Sequence, residues 1–375
     1  MELTLARQRC SSIVPQPTLV ARGFPIRVQL ACYGGWRIRS SGRRPCVARC
    51  SRRSVAGPGC SQNRLGLASW LTSAENPLVT RVLINSLWQR TFGHGLVRTP
   101  EDFGLQGDQP THPELLDWLA VDLRESGWDM KRMLRQMVTS RVFKQESRRR
   151  EELDDPENRL YARGPRYRMD AEMLRDIGLW AGDLLDPHMG GEGVKPYQPD
   201  GMWIALAHPA SNTKRYERDH GSLLYRRSLY VYWKRTSPHP MMTIFDAPDR
   251  ESSCVRRTRT NTALQSLALF NETQRVEIAR AVAQKLLLES DDDHERLDRL
   301  YQSLACRLPT DRERGICLQL LTQMRERYEQ APGDAEALVS AGDAPRAESL
   351  PVQELAAWTQ LATVVLASDV GLMVY

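Results

Sequence analysis

From Asn76 to Val365, apolar side chains recur three and four positions apart between residues that start and stop helices. That pattern restricts the chain to a mainly α fold. Asn76-Pro77 reads as a helix start, with Asn capping and Pro at the first helical position. Val79, Val82, Leu83, Leu87 and Trp88 then share one face until Gly93 ends the run. Thr111-His112-Pro113-Glu114 has capping-box spacing and opens a helix carrying Leu115, Leu116, Leu119 and Leu123 as far as Gly127. Asp129 caps the next, with Met130, Met133, Leu134, Met137 and Val138 as its apolar stripe. Asp155-Pro156 predicts another short helix. Ala171 to Leu185 predicts a longer one, with Met173, Leu174, Ile177 and Trp180 in phase.

The periodicity then lapses. Residues 186–222 are rich in Gly, Pro and aromatic residues and predict a long ordered loop. Leu229-Tyr230-Val231-Tyr232-Trp233 is aromatic and β-branched, and is read as a strand, the small β element of the fold. Helical signals resume over 262–270, 273–289 and 293–305. Thr310-x-x-Glu313 is a second capping box, opening a helix to about Glu329. Residues 331–350 read as a connector rich in Pro, Ala and Gly. Pro351 opens a last helix containing Leu355, Trp358, Leu361, Val364 and Val365. The helical layers are expected to bury one continuous core. No run of 18 apolar residues predicts a membrane span, and no fixed-period repeat is visible.

Charge divides the chain. Residues 1–64 hold twelve Arg, no Lys and one acid, Glu2, for a net charge of +11; the whole chain carries +6, which leaves −5 for the rest. A nucleic-acid argument would therefore rest on the basic segment alone, and no nucleic-acid partner is expected for the body. Five of the eight cysteines, Cys10, Cys32, Cys46, Cys50 and Cys60, also lie there. Three readings compete: a transit-type peptide, a zinc site for which Cys46 and Cys50 lack a second pair, and non-native sequence. The preferred reading is a disordered or non-native segment over 1–64, one helical domain over 65–366 and a divergent tail over 367–375. Cys254, Cys306 and Cys317 are too scattered for a disulfide framework.

Three stretches carry candidate chemistry. His112, Glu114 and Asp117 could bind a metal or move protons, but Glu114 is already explained by helix capping, and the structural reading is preferred. In Tyr225 to Arg235, alternation would place Arg227, Leu229, Val231 and Trp233 on one face. Arg226, Tyr230, Tyr232 and Lys234 would lie on the other. Planar Arg forks beside aromatic rings suit an anionic or sugar ligand; the same pattern suits an Arg–carboxylate tie between elements.

The densest polar stretch runs from Phe245 to Asn261, with Asp246, Asp249, Arg250, Glu251, Arg256, Arg257 and Arg259 just before a helix start that would favour an anion. Its acids could instead hold a hard cation, or pair with the arginines of the segment itself. The candidate ligand-binding set is thus Arg226, Arg227, Tyr230, Trp233, Arg235, Asp246, Arg250, Glu251, Arg256, Arg257, Arg259 and Asn261, with no metal site and no catalytic residue assigned. Cys254 as a nucleophile would need a base; His220 and His239 are nearest in sequence, and nothing in the spacing selects them. Signatures for haem attachment, phosphate loops, dinucleotide binding, nucleophile elbows and zinc proteases are absent.

The body resembles the planctomycete-type domain of unknown function 1553 over about residues 67–366. The strings that carry the resemblance begin with Asn76-Pro77, Arg81-Val82, Trp88, Phe92-Gly93-x-Gly95-Leu96-Val97 and Asp102-Phe103-Gly104. His112 to Leu119, Gly127-Trp128-Asp129, Asp155 to Leu160, Pro196-Tyr197-Gln198-Pro199 and Tyr225 to Tyr230 continue the match. So do Trp233 to Thr236, Phe245-Asp246-Ala247-Pro248, Arg256-Arg257-x-Arg259-Thr260-Asn261-Thr262 and Glu354 to Thr359. The segment from Ser368 to Tyr375 departs from the expected ending, so both ends are expected to be displaced.

The resemblance implies the C-terminal part of a large exported bacterial protein, periplasmic or at the cell surface, often behind a c-type cytochrome module. Haem would belong to that upstream module, and no cofactor is expected in this chain. The family supplies no activity and no catalytic residues. The expectation is a non-catalytic binding or scaffolding domain for an anionic glycan or a cytochrome-type partner. The alternative is a hydrolase or redox-coupled enzyme using the cluster at 246–261.

Overall fold

The structure, a computed structural model, describes residues 27–31, 35–39, 45–48, 63–150, 152–206 and 214–374. The chain is mainly α, and it divides into two compact units, Met1–Arg166 and Tyr167–Tyr375. Each has its own buried cluster, so the single continuous core expected from the sequence is replaced by separate ones.

In the first unit, three strands, β1 (Arg27–Ala31), β2 (Gly35–Arg39) and β3 (Pro45–Ala48), pair antiparallel in that order. The rest of the segment read as disordered or non-native lies outside the described residues up to Asn63. Helix α1 (Arg64–Leu71) is capped by Asn63. Helices α2 (Val79–Phe92), α3 (Pro113–Glu125) and α4 (Met130–Thr139) pack Ile84, Trp88, Phe92, Leu116, Leu119, Leu123, Met133 and Met137 into one cluster. The Asn76 side-chain oxygen accepts from the Leu78 and Val79 N–H groups at the start of α2, but the helix begins at Val79 with Leu78 at the cap position, so Pro77 lies ahead of it and not at its first position; Gly93 ends it at φ 86°. Asp129 caps α4.

Two further local expectations for this unit need correction. Thr111 does not cap α3: its hydroxyl donates to the Leu96 carbonyl instead, and His112 occupies the cap position, its side chain accepting from none of the helix's first N–H groups. Asp155-Pro156 opens a turn and no helix, because the Asp155 carboxylate accepts from the Arg159 and Leu160 N–H groups at 2.7 and 2.8 Å and closes the chain on itself.

The second unit begins with β4 (Tyr167–Arg168) and α5 (Ala171–Ala181). Helices α6 (Met202–Leu206), α7 (Pro240–Ile244), α8 (Ala263–Asn271) and α9 (Thr273–Glu289) follow. Then come α10 (Asp293–Ala305), α11 (Asp311–Gln330), α12 (Pro332–Val339), α13 (Val352–Ala367), α14 (Asp369–Leu372) and β5 (Met373–Val374). Helices α9 and α13 form the centre. Ile278, Val282 and Leu286 meet Leu355, Trp358, Leu361 and Val365, and Leu297, Leu300, Leu321, Ala335 and Val339 pack around them. Gly178 and Gly182 let α5 lie against α9; a Cβ at either would sit 3.1 Å from Ile278 or Ala281. The Thr310–Glu313 capping box is present as read.

The β element is not where the sequence placed it. Strand β4 pairs antiparallel with β5, so the last residues join the unit. Residues 229–233 form no strand: Ser228–Tyr230 is a 3-10 turn, and Val231 makes one isolated bridge to Val194. The reason is local competition. The Ser228 N–H donates to the Asp176 carboxylate at 2.8 Å, and the Arg226 carbonyl accepts from Arg175 at 2.8 Å, so side chains of α5 take groups a ladder would use. The predicted alternation holds from Arg226 to Leu229 and then breaks, leaving Leu229 67% exposed and Val231, expected on the same face, only 4% exposed. On α5, Met173 and Trp180 of the predicted stripe face solvent, and Leu174 and Leu179 are buried. The connector over 331–350 contains α12, started by Pro332 and anchored by buried Ala335 and Val339. The segment 186–222 is largely irregular as expected, apart from α6; its residues 207–213 lie outside the description.

Candidate anion-binding site

All twelve candidate residues lie in the second unit, and the structure sorts them into three groups. The first is buried. Arg175 of α5 donates to the Arg226 and Leu224 carbonyls, the Ser228 hydroxyl and Gln274 Oε1, which fixes the chain from 224 to 228. Burial pushes the Arg175 guanidinium pKa down, opposed chiefly by the Asp176 carboxylate. So held, Arg226 reaches into the loop before it and donates to the carbonyls of His188, Gly190 and Glu192. It lies over the Tyr230 ring at 4.1 Å, and the Tyr230 hydroxyl accepts from the Gly190 N–H at 2.8 Å. Arg226 and Tyr230 are therefore committed to holding residues 188–192.

The second group ties the 245–262 segment to the start of the unit. Asp246, in the left-handed region at φ 61°, accepts from Arg168, from the Thr260 N–H at 2.8 Å and from the Thr260 hydroxyl at 2.9 Å. Arg257 forks onto Glu172 at 2.6 and 3.1 Å and lies 3.5 Å from Asp170. Burial alone would raise the Glu172 carboxyl pKa, but the Arg257 hydrogen bond and charge outweigh it and hold the group below its usual range. Arg259 lies 3.6 Å from Asp170 and 4.4 Å over the Tyr167 ring. The partners of these arginines thus come from α5 and the residue before it, not from the acids of their own segment.

The third group forms a rim. The Trp233 indole N–H donates to the Asp249 carbonyl at 3.0 Å, and Arg250 stacks on the Trp233 face at 4.6 Å. Arg250 is exposed, has φ 64°, and its guanidinium makes no hydrogen bond or ion pair among the described residues. Left-handed backbone in a β-carbon-bearing residue costs roughly 1 kcal/mol, so the surrounding turn holds it there. The Asp249 carboxylate closes that turn by accepting from the Glu251 N–H at 3.0 Å, and Arg235 pairs with Glu251 at 3.0 Å in the open. Arg227, Arg256 and Asn261 are exposed. The helix start expected to attract an anion is already satisfied: Thr262 and Gln265 form a reciprocal capping box at the head of α8.

Among the described residues, no group of three or more His, Cys, Asp or Glu side chains could hold a metal ion. Cys254 is exposed and contacts the Arg256 carbonyl; His220 pairs with Asp343 and His239 bonds the Tyr197 carbonyl, so neither candidate base is engaged with it. The sequence reading missed the buried polar residues of α9. Arg275 donates to the Leu174 and Leu366 carbonyls at 3.1 and 3.0 Å. Glu277, fully buried, accepts from the Tyr197 and Tyr225 hydroxyls and the Ala344 N–H. The signal was weak, because α9 mixes charged and apolar residues around its whole circumference.

A family model of proteins of unknown function, DUF1553, matches residues 63–321. The chain belongs to the DUF1553 family. The matched span includes both the rim and its supports but ends within α11, so α13, central to the core of the second unit, lies beyond it. No curated protein and no solved structure matches the chain.

Proposed function

We propose that the second unit of this DUF1553 protein is a non-catalytic binding module for an anionic ligand. The ligand would be a sulfated or carboxylated glycan, or an acidic face of a cytochrome-type partner in an exported parent protein. One observation carries this reading: Arg250 is exposed and stacked on Trp233, and its guanidinium makes no hydrogen bond or ion pair among the described residues. A stacked guanidinium keeps its planar fork available to an oxyanion. The catalytic alternative draws less support, because Asp246 already accepts three hydrogen bonds and Glu251 is paired, leaving neither as a free base.

The test is calorimetric titration of the full chain with heparin-type, carboxylated and neutral glycans at low and physiological salt. Salt-sensitive binding of the acidic glycans alone supports the glycan version. Equal response to neutral glycans, or none to any, removes that version and leaves the protein-partner version to direct pull-down with purified c-type cytochrome domains.

A further inference from the structure

The second unit holds a largely buried pocket of about 20 Å³ whose apolar walls include Met242, Phe245, Leu269 and Ile278. His239, Arg175, Glu272, Gln274 and Arg275 complete the lining. His239 is 5% exposed. Its Nε2 lies 2.8 Å from the Tyr197 carbonyl oxygen, which can only accept, so Nε2 carries the proton. A neutral ring then presents a bare lone pair at Nδ1, and Nδ1 has no partner among the described residues. A buried acceptor left in that state costs roughly 1–3 kcal/mol.

We infer that this cavity is a binding site for one water molecule, which donates to His239 Nδ1 and joins it to the polar head of α9. Volume permits it: a site needs at least ~10–15 Å³ to hold a water, so the cavity has room for one. Charge sets the class. An anion would face the Nδ1 lone pair, and the positive groups are already offset, Arg175 by Asp176 at 3.6 Å and Arg275 by the charge of the Glu272 carboxylate, which caps the same helix at the Arg275 backbone N–H. A cation would face two guanidinium groups. Water meets both demands. It donates to Nδ1 and accepts from Arg275, whose two hydrogen bonds to Leu174 and Leu366 leave N–H groups unused. The two ends so joined are His239, at the head of α7, and Arg275, in the first turn of α9.

A high-resolution crystal structure of the full chain tests this, together with oxygen-17 relaxation dispersion, which counts long-lived internal waters. The expected result is one fully occupied water within ~2.7–3.2 Å of Nδ1, and one fewer long-lived water in His239→Phe than in wild type. A dry cavity in wild type overturns the inference, and needs no variant to fold. So does a peak with the anomalous signal of a halide after bromide exchange.

Discussion

Acidification should destabilise the second unit in part through His239. Burial pushes its pKa from 6.5 down to about 4, with the nearby Arg175 charge adding to the effect and the Tyr197 hydrogen bond opposing it. The unfolded chain takes up the proton near pH 6.5, but the folded chain does so only near pH 4. Between those values the unfolded state binds more protons, so stability is complete above pH 6.5 and falls as the pH drops towards 4. At ~1.4 kcal/mol per pH unit of displacement, the loss over the window is about 3 kcal/mol. Urea unfolding followed by tryptophan fluorescence, at pH 7 and pH 4, measures it. Carboxylates also contribute to the raw difference, so the informative quantity is the difference between wild type and His239→Gln. The variant should lose about 3 kcal/mol less between the two pH values. Equal losses in the two proteins, or a His239 ring that titrates near 6.5 by NMR, would refute the reasoning.

Other perturbations probe the supports of the rim. Arg175→Met keeps the volume but strips the Arg226 carbonyl and Gln274 Oε1 of their donor, so unfolding free energy should drop by about 2–6 kcal/mol in urea titration, and Arg175→Lys should not restore it. Gly342→Ala would place a Cβ 2.4 Å from the Glu277 carboxylate at φ +84°; a loss of about 2–4 kcal/mol is expected, less than additive with Glu277→Ala in a double-mutant cycle. Asp246→Asn weakens the tie to Arg168 and Thr260, so it should lower the melting temperature by several degrees, corresponding to about 1–2 kcal/mol. A variant that melted like wild type would show that the tie contributes nothing.

Helices whose limits are set by neighbouring residues were legible in the sequence. The Thr310–Glu313 box, the Asp129 cap and the Gly93 stop needed nothing beyond a few positions of chain. Elements decided by distant partners were not. Residues 229–233 have strand composition, but Arg175 and Asp176, about fifty positions earlier, hold the backbone just before them and prevent a ladder. The candidate site followed the same division. The arginine-rich stretches were visible, as was the pairing of rings with guanidinium groups, and Arg250 on Trp233 fits that reading. That Arg226 is buried as a clamp on three carbonyls, and that Arg257 is occupied by Glu172, depends on contacts spanning 34 to 85 positions.

The most direct test of the binding account compares two charge-matched variants, Arg250→Ala and Arg299→Ala, in calorimetric titrations with a sulfated glycan and with a purified acidic c-type cytochrome domain. Arg299 is a half-buried arginine paired with Glu289 and Glu295, so its loss changes net charge equally without touching the rim. The account predicts that Arg250→Ala weakens binding of the true ligand about tenfold or more, a change of ~1.4 kcal/mol, and that Arg299→Ala changes it little. Equal effects of the two substitutions would mean that only net charge matters, and would contradict the assignment of the stacked Arg250 as the contact.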